Sequence, residues 1–97
     1  MLTLYSYPNS RSLRVAWTLE ELGLDYRIHS LDLKAGEGHS PEYLAIHPDG
    51  KAPALVDGEL ALFESSAICR YLAAREGRLL PQSLAGQAQM DQWLSFL

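Results

Sequence analysis

The chain has 97 residues, 47% of them apolar, a length that suits one small domain with little room for a second. Twelve acidic and eight basic residues give a formal net charge of −4 without any run of Lys or Arg, which disfavours nucleic-acid and anionic-membrane partners. The lone Cys69 excludes an internal disulfide, and Met1–Tyr7 has no signal-peptide pattern, so we expect a cytoplasmic protein. No apolar stretch is long enough to cross a membrane.

The first half of the chain predicts a strand, a helix and a second strand. Residues 2–5 alternate apolar with more polar side chains, as a short strand does. A helix follows, capped by Ser10 or Ser12 and running to about Leu22. Residues 26–31 form the next strand, and a helix that joins two adjacent strands pairs them in parallel. The predicted apolar face of the helix contains Leu13, Val15, Ala16, Trp17, Leu19 and Leu22.

The second half predicts a short helix and a hairpin. After a loop at residues 34–38, Ser40-Pro41 begins a helix that cannot pass His47-Pro48. Strands at 54–56 and 60–63 then flank an Asp-Gly pair, which strongly favours a tight hairpin turn.

The helix after the hairpin completes the domain. Ser65 or Ser66 caps this helix and Gly77 ends it. The order is therefore β-α-β-α-β-β-α, which is the arrangement of the thioredoxin fold, an α/β domain with a mixed four-stranded sheet. The apolar stripe of the helix contains Ile68, Tyr71 and Leu72.

The C-terminal segment does not belong to that domain. Leu80-Pro81 has the composition of a linker, and apolar residues then recur at the spacing of an amphipathic helix. We therefore predict a domain at 1–79, followed at 80–97 by a linker and the first helix of an all-α domain that continues in a longer parent protein. The apolar positions of this helix are Met90, Trp93, Leu94 and Leu97.

Two neighbouring segments carry recognisable chemistry. Ser65, near a helix N-terminus, offers a hydroxyl and backbone N–H groups to a carboxylate, and Glu64 beside it suits an ammonium group. A carboxylate and an ammonium on one carbon are the α-amino-acid end of a γ-glutamyl group, although a plain helix cap explains the same residues. One hairpin separates Glu64 from Ala52-Pro53, so an extended peptide at that proline could reach both sites.

The sequence KAPALVDG at residues 51–58, followed by ESSAI at 64–68, resembles the tripeptide-binding signature of glutathione transferases. The resemblance covers most of residues 1–77. It implies a detoxification enzyme that binds glutathione as co-substrate, uses no metal and directs the thiolate at an electrophilic small molecule. It also implies a homodimer when the protein is full length, with the electrophile pocket built largely by the following helical domain.

The resemblance assigns the glutathione-binding residues one by one. It implies a cis Ala52-Pro53 peptide whose outward-facing backbone pairs with the middle of glutathione. It places Glu64 and Ser65 at the γ-glutamyl end. Lys51 and His39 occupy positions where many family members contact the glycyl carboxylate, and the alternative for both is a solvated loop residue.

The resemblance also implies a thiol-binding loop after the first strand. Glutathione must be held as a thiolate, the reactive species, which requires a donor near the sulfur. By resemblance Ser10 and Asn9 are the first candidates and Tyr5 the next, with Arg11 as a nearby positive charge. The structural alternatives are a packed ring for Tyr5 and a helix cap for Ser10. Family members with asparagine here resemble glutathione-dependent disulfide reductases, which keeps the reaction type open.

Three functions therefore remain open. The first is a glutathione transferase, the second a glutathione-dependent disulfide or peroxide reductase, and the third a non-catalytic binding module on the same fold. Cys69 is interpreted as buried packing, and no C-x-x-C pair supports dithiol chemistry. His29 and His47 lack the spacing of metal ligands and are interpreted as structural or exposed residues.

Overall fold

Four strands, four helices and one 3-10 turn make up residues 1–96, the part of the chain that the computed structural model describes. The thioredoxin-like α/β order predicted from the sequence is confirmed. The 3-10 turn is an addition, because it lies in the segment predicted as a loop. The elements are β1 (Leu2–Ser6), α1 (Ser12–Glu21), β2 (Tyr26–Ser30), the 3-10 turn (Glu37–His39), α2 (Pro41–Leu44), β3 (Ala54–Asp57), β4 (Leu60–Phe63), α3 (Ser65–Glu76) and α4 (Leu84–Phe96).

β1 lies inside a mixed sheet whose strand order is β2-β1-β3-β4. It pairs in parallel with β2, as expected for a helical crossover, and antiparallel with β3. β3 and β4 form the predicted hairpin. Tyr5 pairs with Ala54, and Ala54 pairs with Phe63. The end of β1, the start of β3 and the end of β4 therefore share one edge of the sheet, where the loops that form the site meet.

The main core lies between the sheet and the two helices α1 and α3. Its side chains come from the buried positions of β1 and β3 and from one stripe on each helix. Complete burial of an aliphatic side chain contributes roughly 1.5–3 kcal/mol, so these residues hold the helices on the sheet. The largest fully buried side chains are Leu4, Val15, Leu19, Leu55, Ile68 and Leu72.

The apolar face predicted for α1 is narrower than its sequence indicates. Val15 and Leu19 are fully buried, whereas Leu13 and Trp17 are 71% and 66% exposed. Leu13 and Trp17 therefore lie outside the part of the predicted apolar face that the sheet covers. The physical reason is helical geometry. Val15 and Leu19 are four residues apart and share one face of the helix, whereas Leu13 and Trp17 share a different face, and only the first face packs against the sheet.

α4 lies outside the sheet and has no buried residue among its described positions. Arg70 Nε on α3 contacts Asp91 Oδ1 at 2.8 Å, and Trp93 remains 58% exposed. Leu97, the last position of the predicted amphipathic pattern, lies outside the described residues. No helix within residues 1–96 has the length and hydropathy that a bilayer crossing requires.

Candidate functional site

The N-terminus of α3 faces the edge of the sheet where β4 ends. Glu64 stands at the N-cap position with φ 74° and ψ 113°, a conformation that residues other than glycine rarely adopt. Its carbonyl accepts the first helical hydrogen bond, from Ile68 N–H at 3.0 Å, so the N–H groups of residues 65–67 have no partner within the helix. These groups and the helix dipole make the helix end attractive to an anion.

Ser65 and Ser66 do not cap α3, so that prediction is wrong. Ser65 is the first helical residue, and its side chain is only 5% exposed. The Ser66 hydroxyl donates to the Leu94 carbonyl at 3.1 Å and ties α3 to α4. Glu64 takes the N-cap position without a side-chain cap bond, and no ion pair within residues 1–96 uses its carboxylate.

The segment before β3 contains the expected cis peptide, between Ala52 and Pro53. Pro53 is buried at the start of the strand. Among residues 1–96, Ala52 takes part in no backbone hydrogen bond outside the helices and strands. Since backbone polar groups in folded proteins are normally paired, Ala52 is suited to pairing with an extended ligand.

Tyr43 fixes the loop that leads into this segment. Its side chain is 3% exposed, and its hydroxyl donates to the Lys51 carbonyl. Burial, with smaller contributions from Tyr5 and Glu37, raises the pKa of Tyr43 to about 12, so the phenol stays protonated and remains a donor. The loop carrying Lys51 is thus tied to the second, smaller core cluster, to which Tyr43 belongs.

A cavity of about 260 Å³ opens between these segments. Arg11 and Lys51 contribute positive charge to its lining, and Asp49 and Glu64 contribute negative charge. A ligand that carries both carboxylate and ammonium groups matches such a mixed lining. The lining residues are Arg11, His47, Asp49, Lys51, Ala52, Pro53, Glu64 and Ser65.

The residues predicted to bind the ligand mostly lie together. The cavity lining contains every one of them except His39. His39 is exposed at the end of the 3-10 turn, and the residue before it, Gly38, is in backbone contact with Gly50. His39 therefore lies on a loop adjoining the cavity. The predicted residues in the lining are Lys51, Ala52, Pro53, Glu64 and Ser65.

His47 and Asp49 are cavity residues that the sequence did not single out as functional. His47 is 5% exposed, and its Nδ1 accepts a hydrogen bond from Asp49 N–H at 3.2 Å. The sequence signal that could have found them is their place in the turn directly before Lys51. Within residues 1–96, no cluster of three or more His, Cys, Asp or Glu side chains has the geometry of a metal site.

Residues 1–74 match the sequence profile of a family described as glutathione S-transferase, N-terminal domain. The chain belongs to this family. The matched region contains every residue that lines the cavity.

Similar proteins include both glutathione transferases and a disulfide oxidoreductase. Glutathione S-transferase 3 of Zea mays is 45% identical over 97 residues, which are 96% of this chain and 44% of that protein. Disulfide-bond oxidoreductase YfcG of Escherichia coli is 42% identical over 101 residues, covering 97% of this chain and 47% of that protein. A family member from Pseudomonas fluorescens, solved with two glutathione bound, has a TM-score of 0.92 at 40% identity, covering 98% of this chain and 44% of that one. The chain spans about half the length of the curated relatives it matches.

The loop between β1 and α1 is the segment predicted to hold the thiol, and hydrogen bonds of Ser10 and Ser12 fix its conformation. The Ser10 hydroxyl donates to the Tyr7 carbonyl at 2.6 Å and accepts from Ser12 N–H at 3.1 Å. The Ser12 hydroxyl accepts from Tyr7 N–H at 3.2 Å and lies 2.7 Å from the Ser10 hydroxyl. The N-cap of α1 is Arg11, without a side-chain cap bond, so the predicted capping by Ser10 or Ser12 is wrong, and the Ser10 hydroxyl hydrogen is occupied within the loop.

The other thiol candidates occupy different surroundings. Asn9 is exposed at the tip of the loop, with φ 57°. The Tyr5 ring packs between His29 and Tyr43, with centroid distances of 5.0 and 5.5 Å. Of the residues named for this loop, only Arg11 lines the 260 Å³ cavity.

Proposed function

We propose that this chain forms the glutathione-binding part of a glutathione transferase. The observation that carries the proposal is a single cavity lined both by the Ala52-Pro53 backbone and by the open N-terminus of α3. A γ-glutamyl tripeptide has the extended backbone and the charged end group that these two features fit.

The γ-glutamyl end would bind at the start of α3. Its carboxylate would accept from the Ser65 hydroxyl and from the free N–H groups of the first helical turn, where the dipole favours an anion. Its ammonium would pair with the carboxylate of Glu64, which is uncommitted within residues 1–96. The backbone of Glu64 has the left-handed φ of 74° at the N-cap position of α3, and this conformation sets the direction in which its side chain leaves the helix.

The rest of the tripeptide would extend along the loop before β3. The cysteinyl backbone would pair with Ala52, in the manner of an added strand. The glycyl carboxylate would contact Lys51, with His39 on the adjoining loop as a second basic group. Tyr43 contributes indirectly, because it fixes the Lys51 carbonyl and thus the path of the loop.

The thiol would be activated at the loop between β1 and α1. Asn9, Ser10 and Tyr5 are the proposed donors to the sulfur, and Arg11 supplies a positive field that favours a thiolate. In this geometry Ser10 would have to release the Tyr7 carbonyl, whereas the exposed Asn9 amide would not. The thiolate, held in position, would attack an electrophilic small molecule.

The whole protein's organisation belongs to the same proposal. Residues 1–79 would form the glutathione-binding domain, and residues 80–97 would lead into a helical domain that supplies most of the electrophile pocket. The full-length protein would be a cytoplasmic homodimer. The 97 residues alone would then bind glutathione weakly and conjugate little, so rapid turnover of an aryl halide by this chain would contradict the proposal.

Disulfide reduction with glutathione is the second candidate function. The similarity to a disulfide-bond oxidoreductase favours it, and so does Asn9, whose amide can donate to a sulfur but has no readily lost proton. Parallel assays of the full-length protein with an aryl halide and with a low-molecular-weight disulfide would separate the two reactions.

Glutathione binding itself is tested by a ¹H–¹⁵N NMR titration, which detects millimolar affinity. We expect shifts at Ala52 and in the first turn of α3, and about tenfold weaker binding for Ser65→Ala and Glu64→Gln, because each loses a hydrogen bond to a charged group. Ser66→Ala is the matched control, since its hydroxyl faces Leu94 instead. Absence of shifts in the unmodified chain at tens of millimolar glutathione would refute the proposal.

A further inference from the structure

His47 is a cavity residue whose orientation is fixed by its surroundings. Its ring stacks on Tyr43, with centroids 6.3 Å apart and an interplanar angle of 23°, and lies 4.7 Å from the ring of Phe63. Its Nδ1 accepts from Asp49 N–H. The imidazole is therefore packed against two aromatic rings and hydrogen-bonded at Nδ1, and Nε2 is the ring nitrogen that remains for a ligand.

The hydrogen bond at Nδ1 determines which nitrogen of the His47 ring carries the hydrogen and can donate to a ligand. Because a backbone N–H points at Nδ1, this nitrogen carries no hydrogen in the observed geometry, and the ring carries it on Nε2. Within residues 1–96, Nε2 of His47 has no hydrogen-bond partner. Every fully buried side-chain nitrogen or oxygen in these residues does have a partner, so Nε2 is not fully buried. Nε2 therefore reaches solvent, and the cavity is the opening that His47 lines.

The same contacts place His47 at the Lys51 side of the cavity. Asp49, which binds Nδ1, lies two residues before Lys51. Tyr43, which stacks on His47, donates its hydroxyl to the Lys51 carbonyl. One pair of residues thus holds both the imidazole and the Lys51 loop, so a group bound at the Lys51 end lies beside His47.

We propose that His47 Nε2–H donates a hydrogen bond to the glycyl carboxylate of bound glutathione, next to Lys51. This inference rests on the proposed glutathione binding and adds a residue to it. An N–H donor to a carboxylate forms a strong, charge-assisted bond. His47 thereby makes the cavity prefer the tripeptide to γ-glutamylcysteine, which lacks the glycyl group.

The binding test compares two ligands and two substitutions. His47→Phe keeps an aromatic side chain, slightly larger, but removes both nitrogens, and we expect it to bind glutathione about tenfold more weakly while binding γ-glutamylcysteine as the unmodified chain does. His47→Gln retains a donor and an acceptor and should recover much of the loss. Glu59→Gln is the control, because Glu59 is exposed in the β3–β4 turn outside the cavity, and it should leave both affinities unchanged.

A second measurement needs no substitution and so does not depend on the folding of the Phe variant. Two-bond ¹H–¹⁵N correlation spectra of the imidazoles should show His47 with hydrogen on Nε2, and glutathione should shift Nε2 while γ-glutamylcysteine shifts it much less. A hydrogen on Nδ1, or equal shifts with the two ligands, would overturn the inference.

The outcomes separate this inference from the proposed function. If the unmodified chain binds glutathione and folded His47→Phe binds it equally well, the His47 contact is refuted and glutathione binding stands. An equal loss of both ligands also refutes the contact with the glycyl carboxylate. If the unmodified chain binds neither ligand, both proposals fall.

Discussion

Gly38 and Gly50 are packed backbone against backbone. A Cβ added to Gly38 would lie 2.3 Å from the Gly50 carbonyl oxygen, and a Cβ added to Gly50 would lie equally close to the Gly38 carbonyl oxygen. Both glycines are buried. Each directly precedes a basic residue, His39 and Lys51 respectively. The contact thus joins the 3-10 turn to the loop that lines the cavity. It holds the backbone positions next to His39 and Lys51, the two residues proposed for the glycyl carboxylate, close to each other.

Gly38→Ala should damage both stability and binding. The added methyl group must displace the loop that carries Gly50, which we expect to lower the free energy of unfolding by about 1–3 kcal/mol, as overpacking does. The displaced Lys51 should weaken glutathione binding severalfold. Urea unfolding and an NMR titration measure the two effects.

Gly36→Ala supplies the control in the same turn. Gly36 has φ +87° and open space around it, so alanine there carries only the left-handed conformational cost of about 1–2 kcal/mol. The affinity of the Gly36→Ala variant for glutathione should equal that of the unmodified chain. Equal affinities for the Gly38 variant and the unmodified chain would show that the glycine contact does not position the site.

Tyr43→Phe should weaken binding through the loop, without touching the ligand. The substitution removes the hydroxyl that donates to the Lys51 carbonyl and should cost about 1–2 kcal/mol in unfolding free energy. We expect a severalfold weaker affinity for glutathione. Tyr26→Phe is the control, because its hydroxyl bonds to the exposed Glu20 carboxylate, far along the chain from the cavity. A Tyr43 variant with reduced stability but full affinity would contradict the positioning role.

The order of elements follows from local sequence signals, and the binding residues were predicted from these signals together with the resemblance to glutathione transferases. Hydrophobic alternation, the Asp-Gly turn and the helix breakers predicted the order of elements, because each signal acts over a few neighbouring residues. Pro53 and Glu64 were recognisable for the same reason, since each marks the start of an element. A sequence can therefore predict that these segments exist and that one hairpin separates them.

Features decided by distant contacts were not predictable in this way. His47 is a cavity residue because Tyr43 and Phe63, from α2 and β4, enclose its ring. Leu13 and Trp17 are as apolar as their buried neighbours, and only the placement of α1 on the sheet decides which face is covered. In each case the sequence supplies the side chain and the tertiary fold supplies its surroundings.

Glu37→Gln should destabilise the protein at neutral pH more than in acid. A hydrogen bond from Asp32 N–H, and then the contact with His29, lowers the pKa of Glu37. A carboxyl whose pKa is lower in the folded state adds stability above its unfolded pKa of about 4.3, and this stability is lost as the pH falls through the lowered value. The urea midpoints of the variant and the unmodified chain should therefore differ at pH 7 and converge towards pH 3.

The control for this prediction is Glu59→Gln, an exposed glutamate of the β3–β4 turn that forms no ion pair within residues 1–96. Its urea midpoint should follow that of the unmodified chain at both pH values. A gap for Glu37→Gln that stays constant from pH 7 to pH 3 would show that the carboxylate charge does not stabilise this turn.

Cys69 should be a slow thiol because its side chain is partly buried. Burial raises its pKa, and the nearby Thr18 hydroxyl, 3.2 Å from the sulfur, and Arg14 offset this only in part. Because the thiolate is the reactive form, the folded chain should react with a chromogenic disulfide at pH 7.5 at least tenfold more slowly than in denaturing urea. The reference is Ala74→Cys in a Cys69→Ala background, which places the thiol at an exposed position of the same helix. If Cys69 reacted as fast as this exposed thiol, its interpretation as inert packing would be wrong, and the chain would have to be tested for chemistry at its own cysteine as well as at glutathione.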